Sequence, residues 1–289
     1  MGLALAVDVG GTKIATGLVD ERGTLLARSQ VATPATSDGE ELWAVVAAAV
    51  DAVRTSDVTV CGVGCGGPMT GGGEQVSPLN IPAWRDFPLR ARLAEQLGVP
   101  VAVDNDAKAL ALGEGWVGAA ADEPNFLAMV VSTGVGGGIV LDGRLLDGAD
   151  GNAGHIGHVI VEPDGHTCGC GAQGCLEAEA SGTAIRRITG QSPKDAPVEL
   201  RVRTGTLVGR AIASVANLLD LRLAVVAGSV ALGYGEPFFT AAQVEIDERS
   251  RLSFSMGAHV RPAGLGADGP LVGAAAVGYR LVRGSDLQR

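Results

Sequence analysis

The residues with the clearest chemistry are three cysteines set close together in a glycine-rich stretch. Cys168, Cys170 and Cys175 follow the spacing Cys-x-Cys-x4-Cys, and glycines occupy positions 169, 171 and 174. Glycine allows a short chain to turn tightly enough for several thiolates to reach one ion. A fourth ligand from an imidazole would complete a tetrahedral zinc site. The alternative is a set of buried or redox-active thiols, but soft ligands clustered in a loop favour zinc in a reducing compartment.

Two histidines could supply the fourth ligand. His158 lies upstream of the cysteines, on a predicted strand over residues 158–161, and a β-excursion could return the chain to it. His166 is nearer in sequence, but a His-x-Cys pair bends less easily around one ion. We therefore predict that His158 and the three cysteines bind zinc.

Two glycine turns, each containing a threonine, lie between pairs of predicted strands. The first, Gly10-Gly11-Thr12-Lys13, separates strands over residues 3–8 and 14–19. The second, residues 132–138, separates strands over 126–131 and 139–141. Such a turn can direct several N–H groups at a phosphate, although an ordinary hairpin would look the same and the Walker spacing is absent. The repetition predicts two phosphate-binding hairpins that face each other across a cleft.

A polar triplet, Asp104-Asn105-Asp106, follows a predicted buried strand over residues 100–103 and precedes a helix over 107–114. The carboxyl ends of such strands are where α/β sheets place their sites. Asp or Asn at the start of a helix is also an ordinary cap. Because one residue suffices for capping, the triplet indicates a functional site.

The composition is that of a packed, acidic globule. The chain has 289 residues, of which 46% are hydrophobic and 19% charged, enough for two domains. A net charge of −10 argues against a nucleic-acid partner. Five cysteines, an odd number, fit a secreted disulfide scaffold poorly, and we expect Cys61 and Cys65 to be core residues. Finding neither a signal peptide nor an apolar run of roughly 18 residues, we expect a cytoplasmic protein without a membrane partner.

The remaining pattern alternates strands and helices. Further strands are predicted over residues 58–64, 223–227 and 258–261, and helices over 40–53, 87–97, 207–219, 238–249 and 271–282. The polar residues 195–206 are predicted to form a loop. Since no low-complexity linker interrupts the chain, any domain boundary should be a hinge inside the fold, near residues 112–118.

The order of these motifs resembles that of the ROK family of sugar kinases, from Val7 to about Gly278. Its most specific part is Gly157-His158 followed by Cys168-Gly-Cys170-Gly and Gly174-Cys175-Leu-Glu177. The resemblance implies an α/β, actin-like, hexokinase-type (ribonuclease H-like) fold with two domains and a central cleft. We expect an N-terminal domain over residues 1–112, joined by the helix over 271–282, and a C-terminal domain over 113–270. A homodimer or homotetramer is also implied.

The resemblance implies a kinase that transfers the γ-phosphoryl group of ATP to the 6-hydroxyl of a hexose such as glucose or N-acetylmannosamine. Asp106 would be the general base, Asp8 would hold Mg2+, and Zn2+ would be structural, with His158 meeting both zinc and sugar. The positions that match sugar contacts are Gly67, Asn80, Asn105, Asp106, His155, His158 and Glu177. Those that match the nucleotide site are Asp8, Gly10, Gly11, Thr12, Lys13, Thr133, Gly134 and Gly228.

Three positions depart from the family pattern. His155 replaces a Glu that contacts the sugar near its anomeric end, and the sequence GHIGH resembles the N-acetylmannosamine kinase branch. Lys108 replaces the usual Asn of NDAN, and Ala227-Gly228-Ser229 replaces a run of glycines. An imidazole cannot accept two hydroxyl bonds as a carboxylate can. These departures leave the residues for phosphoryl transfer intact, but they leave the identity of the sugar undetermined.

Two other function classes within the family remain as alternatives: a sugar-responsive transcriptional repressor and an inert sugar sensor. The repressors carry a DNA-binding region before the first kinase strand, whereas only Met1 and Gly2 precede it in this sequence. The retained Asp8, Asp106 and both hairpins argue against an inert sensor. Polyphosphate is an alternative to ATP as the phosphoryl donor.

Overall fold

The computed structural model describes residues 2–283. The strands are β1 Leu3–Val9, β2 Lys13–Val19, β3 Leu25–Ala32, β4 Val58–Cys65, β5 Val101–Asn105, β6 Phe126–Val131, β7 Val135–Leu141, β8 Arg144–Leu145, β9 Leu223–Ala227 and β10 His259–Pro262. The α-helices are α1 Gly39–Asp51, α2 Leu89–Leu97, α3 Asp106–Val117, α4 Leu176–Ala180, α5 Gly182–Thr189, α6 Val198–Leu219, α7 Ser229–Tyr234, α8 Glu236–Arg249 and α9 Gly269–Arg283. No helix within the described range is both long and apolar enough to span a membrane.

Two mixed sheets repeat one topology. The first has the order β3-β2-β1-β4-β5, in which β1 is antiparallel to β2 and parallel to β4. The second has the order β10-β9-β6-β7-β8, in which β6 is antiparallel to β7 and parallel to β9. Both predicted glycine turns therefore join antiparallel strands at equivalent positions, and the α/β class predicted from the sequence is confirmed.

The chain divides into two compact units. The first contains residues 2–121, 143–153 and 264–283, and the second contains residues 122–142 and 154–263. The boundary expected near residue 112 lies inside α3, which belongs wholly to the first unit. The helix that we expected to join the N-terminal domain, over residues 271–282, lies in the last segment of the first unit, whereas the sequence did not indicate the return of residues 143–153.

The core of the first unit has a layer on each face of its sheet. Leu5, Val7 and Val9 pack with α1 and α2, whereas Ala4 and Ala6 pack with α9. The alternation follows from the two-residue period of a strand, which sends successive side chains to opposite faces. The small residues allow α9 to approach closely, since a Cβ at Gly62 would clash with the backbone of Ala274.

Two sequence predictions of local structure are wrong. The predicted strand over residues 158–161 is replaced by a 3-10 turn, Ile156–His158, and an isolated bridge between Ile160 and Cys175. The chain turns here because Gly157 packs directly on the Val135 carbonyl, where any Cβ would clash. The predicted loop over residues 195–206 is largely the exposed beginning of α6, whose later turns pack closely on α8 through Gly205 and Gly209.

Candidate functional site

The carboxyl ends of the parallel strands β1, β4 and β5 place acidic residues of the first unit together. Asp8, Gly64 and Asp104 lie in one row of the sheet register. A Cβ at Gly64 would lie 3.6 Å from Cα of Asp106 and 3.7 Å from Oδ1 of Asp8. Asp8 and Asp106 therefore flank the same glycine, at the edge where α/β sheets place their sites.

The carboxyl group of Asp8 has an unusual environment. Burial, and after it the charge of Asp106, raises the pKa of Asp8 to about 7, against the opposing effects of Lys13 and Arg28. A divalent cation would stabilise the ionised carboxylate, because a bound ion is the largest local charge in such a site. Carboxylate oxygens are also the ligands that Mg2+ prefers. The chemistry of Asp8 therefore fits the Mg2+ that the sequence predicted there.

The polar triplet performs the capping role and leaves a carboxylate at the surface. The Asn105 side chain accepts from the backbone N–H groups of Ala107 at 3.0 Å and Lys108 at 3.4 Å, which makes it the N-cap of α3. Asp106 occupies the first helical position, is exposed, and accepts from the N–H of Ala107 at 2.8 Å. Asn105 can therefore cap the helix while the neighbouring Asp106 remains exposed as a candidate base.

The first glycine turn is a closed hairpin with Asn80 beside it. The N–H of Gly10 donates to the Lys13 carbonyl at 3.0 Å. A Cβ at Gly11 would lie 2.9 Å from the Asn80 carbonyl oxygen, so only glycine allows that approach. A Cβ at Gly67, in turn, would lie 3.6 Å from Nδ2 of Asn105. The first unit thus gathers all of its predicted site residues at the ends of β1, β4 and β5: Asp8, Gly10, Gly11, Thr12, Lys13, Gly67, Asn80, Asn105 and Asp106.

The second glycine turn is held by α4 and α5. The N–H of Val135 donates to Oε2 of Glu177 at 3.0 Å, which ties the predicted sugar ligand Glu177 to the hairpin. The backbone and the hydroxyl of Thr183 both donate to the Thr133 carbonyl, at 3.1 and 2.9 Å. Thr133, Gly134 and Glu177 therefore lie together in the second unit.

Gly228 joins the same group. Its φ of 100° lies in the region that favours glycine, and a Cβ would clash with the Val131 carbonyl. The next residue, Ser229, lies with its hydroxyl 3.0 Å from that of Ser132. Sequence reasoning missed the hydroxyls of Ser132, Thr183 and Ser229 as candidate site groups. Thr183 and Ser229 each follow a glycine at the start of a helix, and Ser132 directly follows the last residue of β6.

The three cysteines and His158 form a cluster of metal-ligand atoms. Their Sγ and imidazole nitrogen atoms all lie within 4.8 Å of one another. Sγ of Cys170 is 3.8 Å from Sγ of Cys175, and Sγ of Cys168 is 3.7 Å from Nδ1 of His158. Tetrahedral zinc with bonds of about 2.3 Å to sulfur and about 2.0 Å to nitrogen requires separations of about 3.8 and about 3.5 Å. The protein atoms therefore fit a zinc ion.

The second candidate histidine has a different partner. Nδ1 of His166 lies 2.8 Å from Oε1 of Glu179, a carboxylate that also accepts from Arg203 at 2.6 Å. Between His166 and Glu179 the chain makes a tight turn, in which the N–H of Cys168 donates to the Ala172 carbonyl at 2.7 Å. His166 thus belongs to the support of the cysteine loop, and His158 is the histidine that lies with the thiols.

Without a metal ion, the protein environment shifts the pKa values of Cys170 and Cys175 in opposite directions. Burial raises the pKa of Cys175 to about 12, whereas a backbone hydrogen bond from Ala172 lowers the pKa of Cys170. A coordinated thiol loses its proton, because the metal charge outweighs the cost of burial.

His155 lies at the start of the 3-10 turn that carries His158. It is exposed, its ring centroid is 6.0 Å from that of His158, and its carbonyl accepts from the N–H of His158 at 3.0 Å. The two imidazoles therefore occupy neighbouring positions and both are exposed, but only His158 lies among the thiols.

Comparison with known proteins gives one consistent family. The ROK family model matches residues 4–280. The chain is 39% identical to the glucokinase of Streptomyces coelicolor over 211 residues, which are 71% of this chain and 66% of that protein, just under two thirds of its length. It is 36% identical to the N-acetylmannosamine kinase of Yersinia pestis over 253 residues, which are 81% of this chain and 86% of the relative.

The solved structures agree in fold. A ROK family glucokinase from Streptomyces griseus, crystallised with glucose and AMPPNP, has a TM-score of 0.84 at 32% identity and covers 96% of this chain and 100% of its own. The actin-like, hexokinase-type fold expected from the sequence is thereby confirmed. With a family model that matches nearly the whole chain, the resemblance found in the motifs is confirmed as well: this protein belongs to the ROK family.

Proposed function

We propose that this chain transfers the γ-phosphoryl group of ATP to the 6-hydroxyl of a free hexose or N-acetylhexosamine. The observation that carries the proposal is the pair of carboxylates around Gly64, with Asp8 at the end of β1 and Asp106 in the first turn of α3. Phosphoryl transfer needs a group that accepts the proton of the attacking hydroxyl and a group that holds the metal of the nucleotide. The pair supplies both.

Asp106 is the proposed base. Its side chain is exposed, so a substrate hydroxyl can reach it, and it lies at the first position of α3, which Asn105 caps. It accepts the proton of the 6-hydroxyl as that oxygen attacks the γ-phosphorus. Asn105 caps the helix next to it and keeps its Nδ2 donor for a sugar hydroxyl.

Asp8 is the proposed Mg2+ ligand. Bound with the nucleotide, the metal would neutralise charge on the phosphate oxygens. The neighbouring hairpin contributes N–H groups and the Lys13 ammonium for phosphates, and the second hairpin contributes Thr133 and Gly134. The adenosine is proposed to pack beside Gly228 at the start of α7, where the positive φ and the close Val131 carbonyl require a glycine.

The sugar ligands of the second unit are proposed to be His155, His158 and Glu177. Zinc would act as a structural ion that fixes one nitrogen of His158, so that the ring presents its other nitrogen to the sugar. The relatives named glucokinase and N-acetylmannosamine kinase support a hexose or an N-acetylhexosamine as the substrate class. His155, in place of a carboxylate, favours the second of these.

The test is a substrate panel with Mg-ATP, monitored by ADP release. Glucose, mannose, glucosamine, N-acetylglucosamine and N-acetylmannosamine should be compared at matched concentrations, with polyphosphate as a second donor. We expect sugar-dependent ADP release with at least one sugar of the panel. Sugar binding in calorimetry without turnover by either donor would instead favour a sugar-binding regulator. The proposed homodimer or homotetramer can be tested on the same samples by light scattering.

A further inference from the structure

Lys108 is a buried lysine two residues after the proposed base, and its environment is unusual. The residue is 2% exposed, although lysine is almost never buried without partners. Its ammonium group lies 3.0 Å from Oδ1 of Asp104, 2.8 Å from Oδ1 of Asp147 and 3.0 Å from the Gly151 carbonyl oxygen. The three N–H donors of the ammonium thus have three acceptors.

Two of these acceptors belong to a loop far away in sequence. Residues 146–153 form an exposed loop with glycines at positive φ, Gly148 at 75° and Gly151 at 81°. Asp147 also accepts from Arg280 at 3.2 Å, which attaches it to α9. Lys108 therefore holds the loop at two points, Asp147 and Gly151, although the glycines of the loop favour many conformations.

We propose that Lys108 is a positioning residue for sugar binding, which it supports by fixing the loop over residues 146–153 against the first turn of α3. The inference rests on the proposed function. The loop continues through Gly154 directly into His155 and His158, and α3 begins with Asp106. One ammonium group thus restrains both the helix start that carries the base and the segment that leads to the proposed sugar ligands.

The chemistry of residue 108 makes it more than a packing group. An Asn at this position is too short to reach three acceptors that surround a lysine ammonium, and it carries no charge to offset two carboxylates. Burial raises the pKa of Asp104, whereas Lys108 lowers it, so the lysine favours an ionised Asp104 beside the helix cap. The loop of this chain is therefore attached in a way that an Asn would not reproduce.

The experiment compares three variants with the wild type. Lys108→Met removes the ammonium and keeps the length of the chain, and Asp147→Asn removes only the charge on the loop side, in case the first variant does not fold. Leu93→Ala, a buried position of α2, is the control for general loss of stability because the core cluster that contains Leu93 includes no residue of the loop or of α3. Sugar Kd by calorimetry, KM and kcat are measured, together with hydrogen exchange of the peptide over residues 146–153.

We expect Lys108→Met to raise the sugar KM and Kd by about 10- to 100-fold, with a smaller change in kcat, because apparent affinity falls in proportion to the fraction of chains whose loop keeps the binding-competent conformation. Exchange in residues 146–153, including the Ala153 N–H that donates to the Asp147 carbonyl, should become about 10-fold faster or more. Asp147→Asn should act in the same direction, whereas Leu93→Ala should lower Tm without either effect.

Unchanged sugar Kd, or unchanged exchange in the loop, for folded Lys108→Met or Asp147→Asn would overturn the inference. The proposed kinase function is tested by a different result from the one that tests the role of Lys108. A wild type that binds sugar but phosphorylates none would contradict the kinase assignment, and the Kd and exchange comparisons would still decide the role of Lys108.

Discussion

At the scale of single residues, Asp8 combines a cost in stability with a proposed role as the Mg2+ ligand. Its raised pKa means that the folded protein binds the Asp8 proton more tightly than the unfolded chain does. Its contribution to stability is therefore complete below the ordinary pKa of 3.8 and is lost as the pH rises to about 7. An ionised Asp8 without a cation destabilises the fold.

Asp8→Asn removes this titration. We expect the variant to gain stability relative to the wild type between pH 4 and pH 8, by at most about 4 kcal/mol, since one pKa unit corresponds to about 1.4 kcal/mol. Urea unfolding at several pH values measures the difference. Asp122→Asn, which changes an exposed carboxylate, is the control. A difference between Asp8→Asn and wild type that does not vary with pH would contradict the predicted titration.

His155 decides substrate preference in our proposal. As a neutral imidazole it offers one donor and one acceptor, whereas Glu offers two acceptors. A polar group left unpaired costs about 1–3 kcal/mol, so His155→Glu should shift the ratio of kcat/KM between glucose and N-acetylmannosamine by roughly 5- to 150-fold, in favour of glucose. The substrate panel measures this ratio directly. If variant and parent give the same ratio, His155 has a structural role.

At the scale of elements, we expect the fold of the cysteine loop to depend on a bound zinc ion. Cys175→Ser should lower both the zinc content and Tm, because metal-binding energy contributes to folding. Cys61→Ala, at a buried cysteine in the first sheet, is the control and should keep its metal. Metal analysis of protein purified without added zinc provides the measurement. Less than about 0.2 equivalents of zinc per folded, active wild-type chain would rule out the structural site.

Some helices, strands and turns are predictable from the sequence and others are not, for physical reasons. The hairpins and the triplet follow local rules, since glycine turns and strand ends are recognisable within a few residues. The sequence predicts a strand over residues 158–161 because Val159, Ile160 and Val161 have high β-propensity. The prediction is wrong because the contact of Gly157 with Val135, which turns the chain, is long-range. The loop prediction over residues 195–206 is wrong because the first turns of α6 are exposed and polar and therefore resemble a loop. Pro197 and Glu199 are nevertheless typical of a helix N-terminus.

At the scale of the whole molecule, the division of the chain depends on contacts that no local pattern contains. The Glu114 carboxylate accepts from the N–H groups of Gly264 at 2.9 Å and Leu265 at 3.0 Å, which attaches the last segment to α3. Lys108 and Asp147 attach the segment over residues 143–153 in the same way. These pairings join positions far apart in sequence, so composition and periodicity predicted two domains but not their boundaries.

The repeated sheet topology is the frame for the proposed reaction. In each sheet the antiparallel hairpin and the adjacent parallel strand bring a glycine turn and a strand end together, with Asp8 in one unit and Thr133 and Gly228 in the other. The repeat explains why two weak glycine motifs become informative as a pair. It does not by itself identify the reaction, which in our proposal depends on Asp106.

The most direct test of the account is the phosphorus NMR spectrum of the product that the whole protein forms from Mg-ATP and its best sugar, recorded for wild type and Asp106→Asn. We predict a sugar 6-phosphate for the wild type and a kcat at least about 100-fold lower for Asp106→Asn, with little change in sugar Kd, because the variant lacks the base. Phosphate on another hydroxyl, or a folded Asp106→Asn that keeps more than about half of the wild-type kcat, would contradict the assignment of Asp106 as the base.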